Sequence, residues 1–298
     1  MWVGGQSNSV GTNSQVPGQY PTWPANPLIQ MFCAPGRLRS AASKGCVKGN
    51  FATATTPVYG ESNVGFSLTF ANLLLQTLPA GHGVVLVNTG VGGTGFHDGN
   101  WVAPDGPLAL NSIAAVEALH AALPAGLGGF YSFHSILWHQ GELDAGDNRG
   151  GFHAPYCQYL IQDLSPLVDL FRASFPGASP STPFIDGGLL PYWEDAAANT
   201  SGVVAAISAL NTSRACTATA DSRVFADFLP NGAPNGDPKY RSGASGDVIH
   251  FTATQAFFLG QQYFVAYQKA LNLTTPVPSA ETGACPGAAV QPSVAACG

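Results

Sequence analysis

The sequence predicts a three-layer α/β/α sandwich, with helices on both faces of a mostly parallel, five-stranded sheet. Two observations carry that reading. Short apolar runs such as VVLVN at 84–88 lack polar alternation, which marks strands covered on both faces. Between such runs lie longer segments with apolar residues at helical spacing, and strands alternating with helices need crossover connections, hence parallel pairing. The 298 residues, 45% of them hydrophobic, are enough for one large α/β domain with a sizeable core. No internal repeat or boundary interrupts the chain, so 1–298 reads as a single domain.

The elements follow in order. The first strand is expected at Met1, Trp2 and Val3. Residues 11–65, rich in Pro, Gly, Ser and Asn, read as a long elaborated loop. From Val64 to Leu78 the apolar residues Phe66, Phe70, Leu73 and Leu74 share one helical face, and Gly81-His82-Gly83 breaks that helix before the 84–88 strand. A helix is expected over 107–123, a strand over 133–139, and an amphipathic helix over Tyr156–Phe175. A strand over 184–190, a short helix over Gly202–Leu210, a fifth strand over 222–228 and a last helix over Thr252–Leu271 complete the pattern, with a Cys-containing tail at 272–298.

Composition excludes several classes. A net charge of -6 and the absence of a basic run argue against nucleic acid or an anionic membrane as partner. No apolar stretch reaches the ~20 residues a spanning helix needs. The six cysteines (Cys33, Cys46, Cys157, Cys216, Cys285, Cys297) show no zinc-site spacing, so no metal ligand set is assigned. Their even number, the sequons at Asn199, Asn211 and Asn272 and a charged content of only 9% point to an extracellular setting. The expectation is that any secretory leader is removed. The most local pairing would join Cys33 to Cys46 and Cys285 to Cys297, leaving Cys157 with Cys216; fifteen pairings are possible.

In a parallel sheet the site forms at the carboxyl ends of the strands. The first strand runs into Gly4-Gly5-Gln6-Ser7-Asn8, the second into Thr89-Gly90-Val91-Gly92-Gly93-Thr94-Gly95, and the third into Gln140-Gly141-Glu142-Leu143-Asp144. Before the last helix lies Gly246-Asp247-Val248-Ile249-His250-Phe251. Taken singly, each has a plain structural role: Ser7 and Asp247 as helix caps, His250 as a partly buried histidine, VGGTG as a turn. The last lacks the glycine pattern of a dinucleotide loop. Together they supply one chemistry. Ser7 is a hydroxyl nucleophile needing a base, His250 is that base, and Asp247 can orient the imidazole from three residues away. The N–H of Ser7, a glycine N–H at Gly92 or Gly93 and the Gln140 amide are donors for an oxyanion. Phe96, Trp101, Tyr192 and Trp193 are candidates for stacking on sugar rings.

The set GQSN, VGGT, WHQGE-x-D and D-x-x-H-F resembles the SGNH-type hydrolases, and within them the carbohydrate acetylesterases of the sialate O-acetylesterase and acetylxylan esterase kind. The resemblance spans nearly the whole chain. It implies a flavodoxin-like sheet, a nucleophile at Ser7, a base and acid at His250 and Asp247, and oxyanion donors at Ser7, Gly93 and Gln140. Gln6, Gly92 and Glu142 would support them, and the family leaves either Asp247 or Glu142 as the acid of the triad. It also implies an acetylated carbohydrate substrate and no cofactor. The chain departs from the family at Ser9, where Met is frequent, and the 11–65 loop and the tail from Ala284 match no family pattern. A catalytically silent carbohydrate-binding protein and an esterase of non-carbohydrate esters stand as alternatives.

Overall fold

The computed structural model describes residues 1–11, 23–35, 47–56, 64–124, 131–146, 154–190, 201–222 and 250–272. Among them a seven-stranded sheet is flanked by five α-helices. The strands are β1 (Trp2–Gly5), β2 (Ile29–Phe32), β3 (Phe51–Thr53), β4 (Val84–Asn88), β5 (Ile136–His139), β6 (Phe184–Gly187) and β7 (Thr217–Ala220). The helices are α1 (Ser67–Leu75), α2 (Pro107–Ala122), α3 (Ser165–Ser174), α4 (Ser201–Ser213) and α5 (Ala253–Asn272).

The sheet order is β3-β2-β4-β1-β5-β6-β7. All neighbours pair in parallel except β2 with β3. The segment β4-β1-β5-β6-β7 has the 2-1-3-4-5 order of the flavodoxin arrangement, whose switch point lies beside the first strand. The α/β class is therefore as the sequence predicts, but the sheet is wider. Two strands arise inside the segment expected to be loop, because IQMF and FAT are only 4 and 3 residues long and fall below any periodic signal. β2 pairs with β4 and β3 with β2, which extends the sheet at its edge.

Two further boundaries differ. Among the described residues the last strand is the Thr/Ala sequence at 217–220; of the strand expected over 222–228, Ser222 is not in a strand and 223–228 lie outside the described residues. The helix expected over Tyr156–Phe175 is π-helical from Gln158 to Leu164 before α3 begins. Pro166 has no N–H to continue an α-helical ladder, which accounts for the change at that point.

The central strands are buried along their whole length because both faces are covered, with Trp2, Trp138 and Phe184 essentially inaccessible. Trp101, fully buried against Trp138, and Phe96, also buried, are core side chains rather than the exposed sugar platforms expected of them. Tyr192 and Trp193 lie outside the described residues. Among the described residues no cysteine is free, and Cys33, Cys157 and Cys216 are disulfide-bonded; Cys46, Cys285 and Cys297 lie outside them. No described helix is long and apolar enough to cross a membrane.

Candidate active site

β1 and β5 run side by side, with Gly5 opposite His139. Gly5 has φ +119, and a Cβ there would lie 2.0 Å from the His139 carbonyl oxygen, so only glycine fits this close approach. Gln6 N–H donates to that same carbonyl at 3.0 Å. The chain then turns sharply. The Gln6 carbonyl accepts Ser9 N–H at 2.9 Å, Val10 N–H at 3.3 Å and Ser9 Oγ–H at 2.6 Å. Of the first eleven residues, Ser7 alone is not buried. The turn thus buries Gln6, Asn8 and Ser9 and leaves Ser7 partly exposed.

The second loop closes over that point. Val91 N–H donates to the Gly5 carbonyl at 2.9 Å, and a Cβ on Gly92 would sit 3.5 Å from Ser7 Cβ. Gly92 and Gly93 are both exposed, and Gly93 takes a left-handed φ of +69. This loop therefore brings the Gly92 backbone beside Ser7.

The third loop is tied to the first by two buried amides. Gln6 Oε1 accepts Leu143 N–H at 3.2 Å, and Asn8 Nδ2 donates to Glu142 Oε1 at 2.6 Å. The same carboxylate oxygen lies 3.5 Å from His139 Nε2, and His139 Nδ1 is 3.0 Å from the Tyr263 hydroxyl, which donates to the Trp138 carbonyl at 2.6 Å. Glu142 is thus committed to the turn beneath Ser7. Beyond it, fully buried Asp186 has its carboxyl pushed well above the ordinary range, by burial first and by the charge of Glu142 second, with the Gly187 N–H acting the other way.

Gln140 is anchored in the same way. It is fully buried; its Nε2 donates to Asp144 Oδ2 at 2.5 Å and its Oε1 accepts the Tyr159 hydroxyl at 3.0 Å. These bonds anchor the side chain in the interior and use one of its two N–H donors. Asp144 in turn accepts Phe96 N–H at 3.0 Å and His97 N–H at 2.8 Å, which pins the segment after the second loop to the third. Burial raises the Asp144 carboxyl, against the lowering effect of these donors.

His250, partly buried, precedes α5. The next residue fixes its place. Phe251 is buried, its ring stands edge-on to His139 at 5.4 Å, and its N–H donates to Asn8 Oδ1 at 3.0 Å. Ser7 and His250 therefore each lie one residue from a direct hydrogen bond between their loops. Asp247 lies outside the described residues, and among those described no group of three His, Cys, Asp or Glu side chains is arranged to hold a metal ion. Asn8, Phe251 and Asp144 were not among the residues singled out from sequence, though each stands inside one of the motifs, GQSN, D-x-x-H-F and WHQGE-x-D.

A family model described as "Carbohydrate esterase, sialic acid-specific acetylesterase" matches residues 2–269. The fold is similar to the crystal structure of NanS, with a TM-score of 0.62 and 18% identity over 90% of this chain and 95% of that one. A protein from Arabidopsis thaliana gives 0.60 and 19% identity over 90% and 96%. A carbohydrate acetylesterase from Xanthomonas citri gives 0.52 and 16% identity over 90% and 55%. At these identities the likenesses bear on the fold. No curated protein matches the chain.

Proposed function

The chain belongs to this family of carbohydrate esterases, the sialic acid-specific acetylesterases, and on that premise we propose that it removes O-acetyl groups from carbohydrate through an acyl-enzyme on Ser7. As a family member it is a carboxylic ester hydrolase. The observation that carries the mechanistic reading is the exposure pattern of the first turn. A buried, doubly anchored loop presents Ser7 alone, with Gly92 against it and the His250 loop bonded to its neighbour.

In this reading His250 takes the Ser7 proton as Oγ bonds to the acetyl carbonyl carbon. The tetrahedral oxyanion is met by the N–H groups of Ser7 and Gly93. On collapse the ester C–O bond breaks and His250 returns the proton to the leaving sugar oxygen. Water then attacks the acetyl-serine, His250 again accepts and returns a proton, and acetate leaves. Asp247 is assigned to the far imidazole nitrogen, and Glu142, held by Asn8, to positioning. No cofactor is required by this sequence of steps. The sequons and the disulfide-bonded cysteines support an extracellular location.

The 9% charged content favours a neutral polymer such as acetylated xylan, whereas the family description favours O-acetylated sialic acid. Acetate release from both, and from p-nitrophenyl acetate, measured for the protein and for Ser7→Ala, tests the proposal. Release from at least one carbohydrate, lost in Ser7→Ala, is the expected result. Hydrolysis of p-nitrophenyl acetate alone would assign a non-carbohydrate ester, and no release from any of the three would leave a binding protein on this fold.

A further inference from the structure

We propose that Asn8 is a positioning residue, whose carboxamide sets the nucleophile turn and the base-bearing loop in register with each other. The two ends of the amide have different partners of fixed polarity. Nδ2 donates to Glu142 Oε1 at 2.6 Å, and Oδ1 accepts the Phe251 N–H at 3.0 Å. A carboxylate accepts only and a backbone N–H donates only, so these partners admit one orientation of the amide. Asn8 is 4% exposed and both partners are buried, so each bond is made where a lost partner leaves a desolvated polar group.

Both partners are themselves fixed. Glu142 Oε1 lies 3.5 Å from His139 Nε2, and the His139 ring is held by Tyr263 on one side and by the Phe251 ring on another. The Asn8 amide is the hydrogen-bonded link that joins this floor to the two reacting loops at once. Ser7 is bonded covalently to Asn8, and His250 to Phe251. A shift in either hydrogen bond is passed through a single peptide unit to the nucleophile or to the base. Displacements of about 1 Å in reacting groups cost on the order of 10²-fold in rate.

Neither close substitute at position 8 satisfies both ends. Aspartate keeps the acceptor for Phe251 but sets a carboxylate against Glu142. Serine is too short to span the two. The pairing can, however, be inverted. In the N8D/E142Q double variant the carboxylate introduced at position 8 would accept from Phe251 with one oxygen and from the glutamine amide introduced at position 142 with the other.

The inference rests on the reading of Ser7 and His250 as nucleophile and base. The test compares kcat and KM for p-nitrophenyl acetate in wild type, N8D, N8S, N8D/E142Q and S7A, with circular dichroism melts establishing that each is folded at the assay temperature. N8D is expected to lose about 10²-fold in kcat with KM within about twofold, and N8D/E142Q to regain at least about tenfold over N8D. Should N8D not fold, N8S carries the same test without the added charge. Folded N8D or N8S with kcat within about threefold of wild type overturns the proposal. So does an N8D/E142Q double variant no better than folded N8D. Activity surviving in S7A would instead overturn the reading of the site. S7A inactive beside active Asn8 variants would remove only the positioning role.

Discussion

The Gln140 carboxamide donates to Asp144 Oδ2 at 2.5 Å while its oxygen accepts the Tyr159 hydroxyl, so both ends of the amide are bonded inside the protein. This arrangement holds the third loop against the segment at Phe96 and His97, whose N–H groups meet the same Asp144 carboxylate. Gln140→Ala is therefore expected to act mainly on stability. It removes a donor from a buried carboxylate, a loss of about 1–3 kcal/mol, visible as a fall of several degrees in Tm. Turnover should drop less than the roughly 10²–10³-fold that follows loss of an oxyanion donor. Melting curves and kcat measured on the same preparation separate the two roles.

Ser7→Ala should show the opposite balance. The residue is the only one of the first eleven that is not buried, and the turn around it is held by Gln6, Asn8 and Ser9. Loss of the hydroxyl is expected to leave Tm within the range of an ordinary surface change, about 0.5 kcal/mol or less. Acetyl ester turnover should fall by at least ~10³-fold. Assay and melt together check it: an inactive variant that has also lost its melting transition would report a folding defect, not a missing nucleophile.

Asp163, on the π-helical segment before α3, provides a pH-dependent stability. Burial first, and Asp144 second, push its carboxyl from 3.8 up to about 7. The unfolded chain releases this proton at the lower pH, so between about pH 4 and pH 7 the folded state binds more protons. Stability contributed by this group is then present below pH 4 and is lost as pH rises towards 7. Asp163→Asn keeps the shape and removes the charge. Its Tm should exceed that of wild type at pH 8, and the difference should shrink steadily towards pH 4. A Tm difference that does not change with pH would show that the carboxyl is not held protonated.

Much of this architecture is legible in the sequence because strands covered on both faces must be apolar throughout, as at 84–88 and 136–139. The first two loops of the site are legible for a related reason, since glycine is required where the chain turns at Gly5 or takes a left-handed φ at Gly93. What escapes is whatever is decided by a distant partner. β2 and β3 are too short to announce themselves and exist by pairing at the edge beside β4. Trp101 lies in the long segment between β4 and α2, yet its indole N–H is satisfied by Thr94 and its ring lies against Trp138. Asn8 finds its partners 134 and 243 positions away, a distance no local pattern spans. Gln140 illustrates the same limit: its place in HQGE suggests a donor, and its buried bonds to Asp144 and Tyr159 are not legible in that motif.

Gly92 offers a way to probe the space above Ser7 without disturbing the fold. A Cβ there would lie 3.5 Å from Ser7 Cβ and 3.7 Å from Ser7 Cα, which is ordinary van der Waals contact, and the residue is exposed. Gly93, with its φ of +69, would by contrast be strained by any side chain. Gly92→Ala should therefore melt close to wild type, while its methyl narrows the approach to the hydroxyl. An acetyl group is the smallest acyl unit with a carbon beyond the carbonyl, so it should be affected least. The ratio of kcat/KM for p-nitrophenyl acetate to that for p-nitrophenyl butyrate is expected to rise in Gly92→Ala by about tenfold, the lower end of the roughly 10–200-fold that a single methylene can be worth in a snug pocket. An unchanged ratio would mean that the acyl chain does not pass over Gly92, and would move the acyl pocket to another side of Ser7.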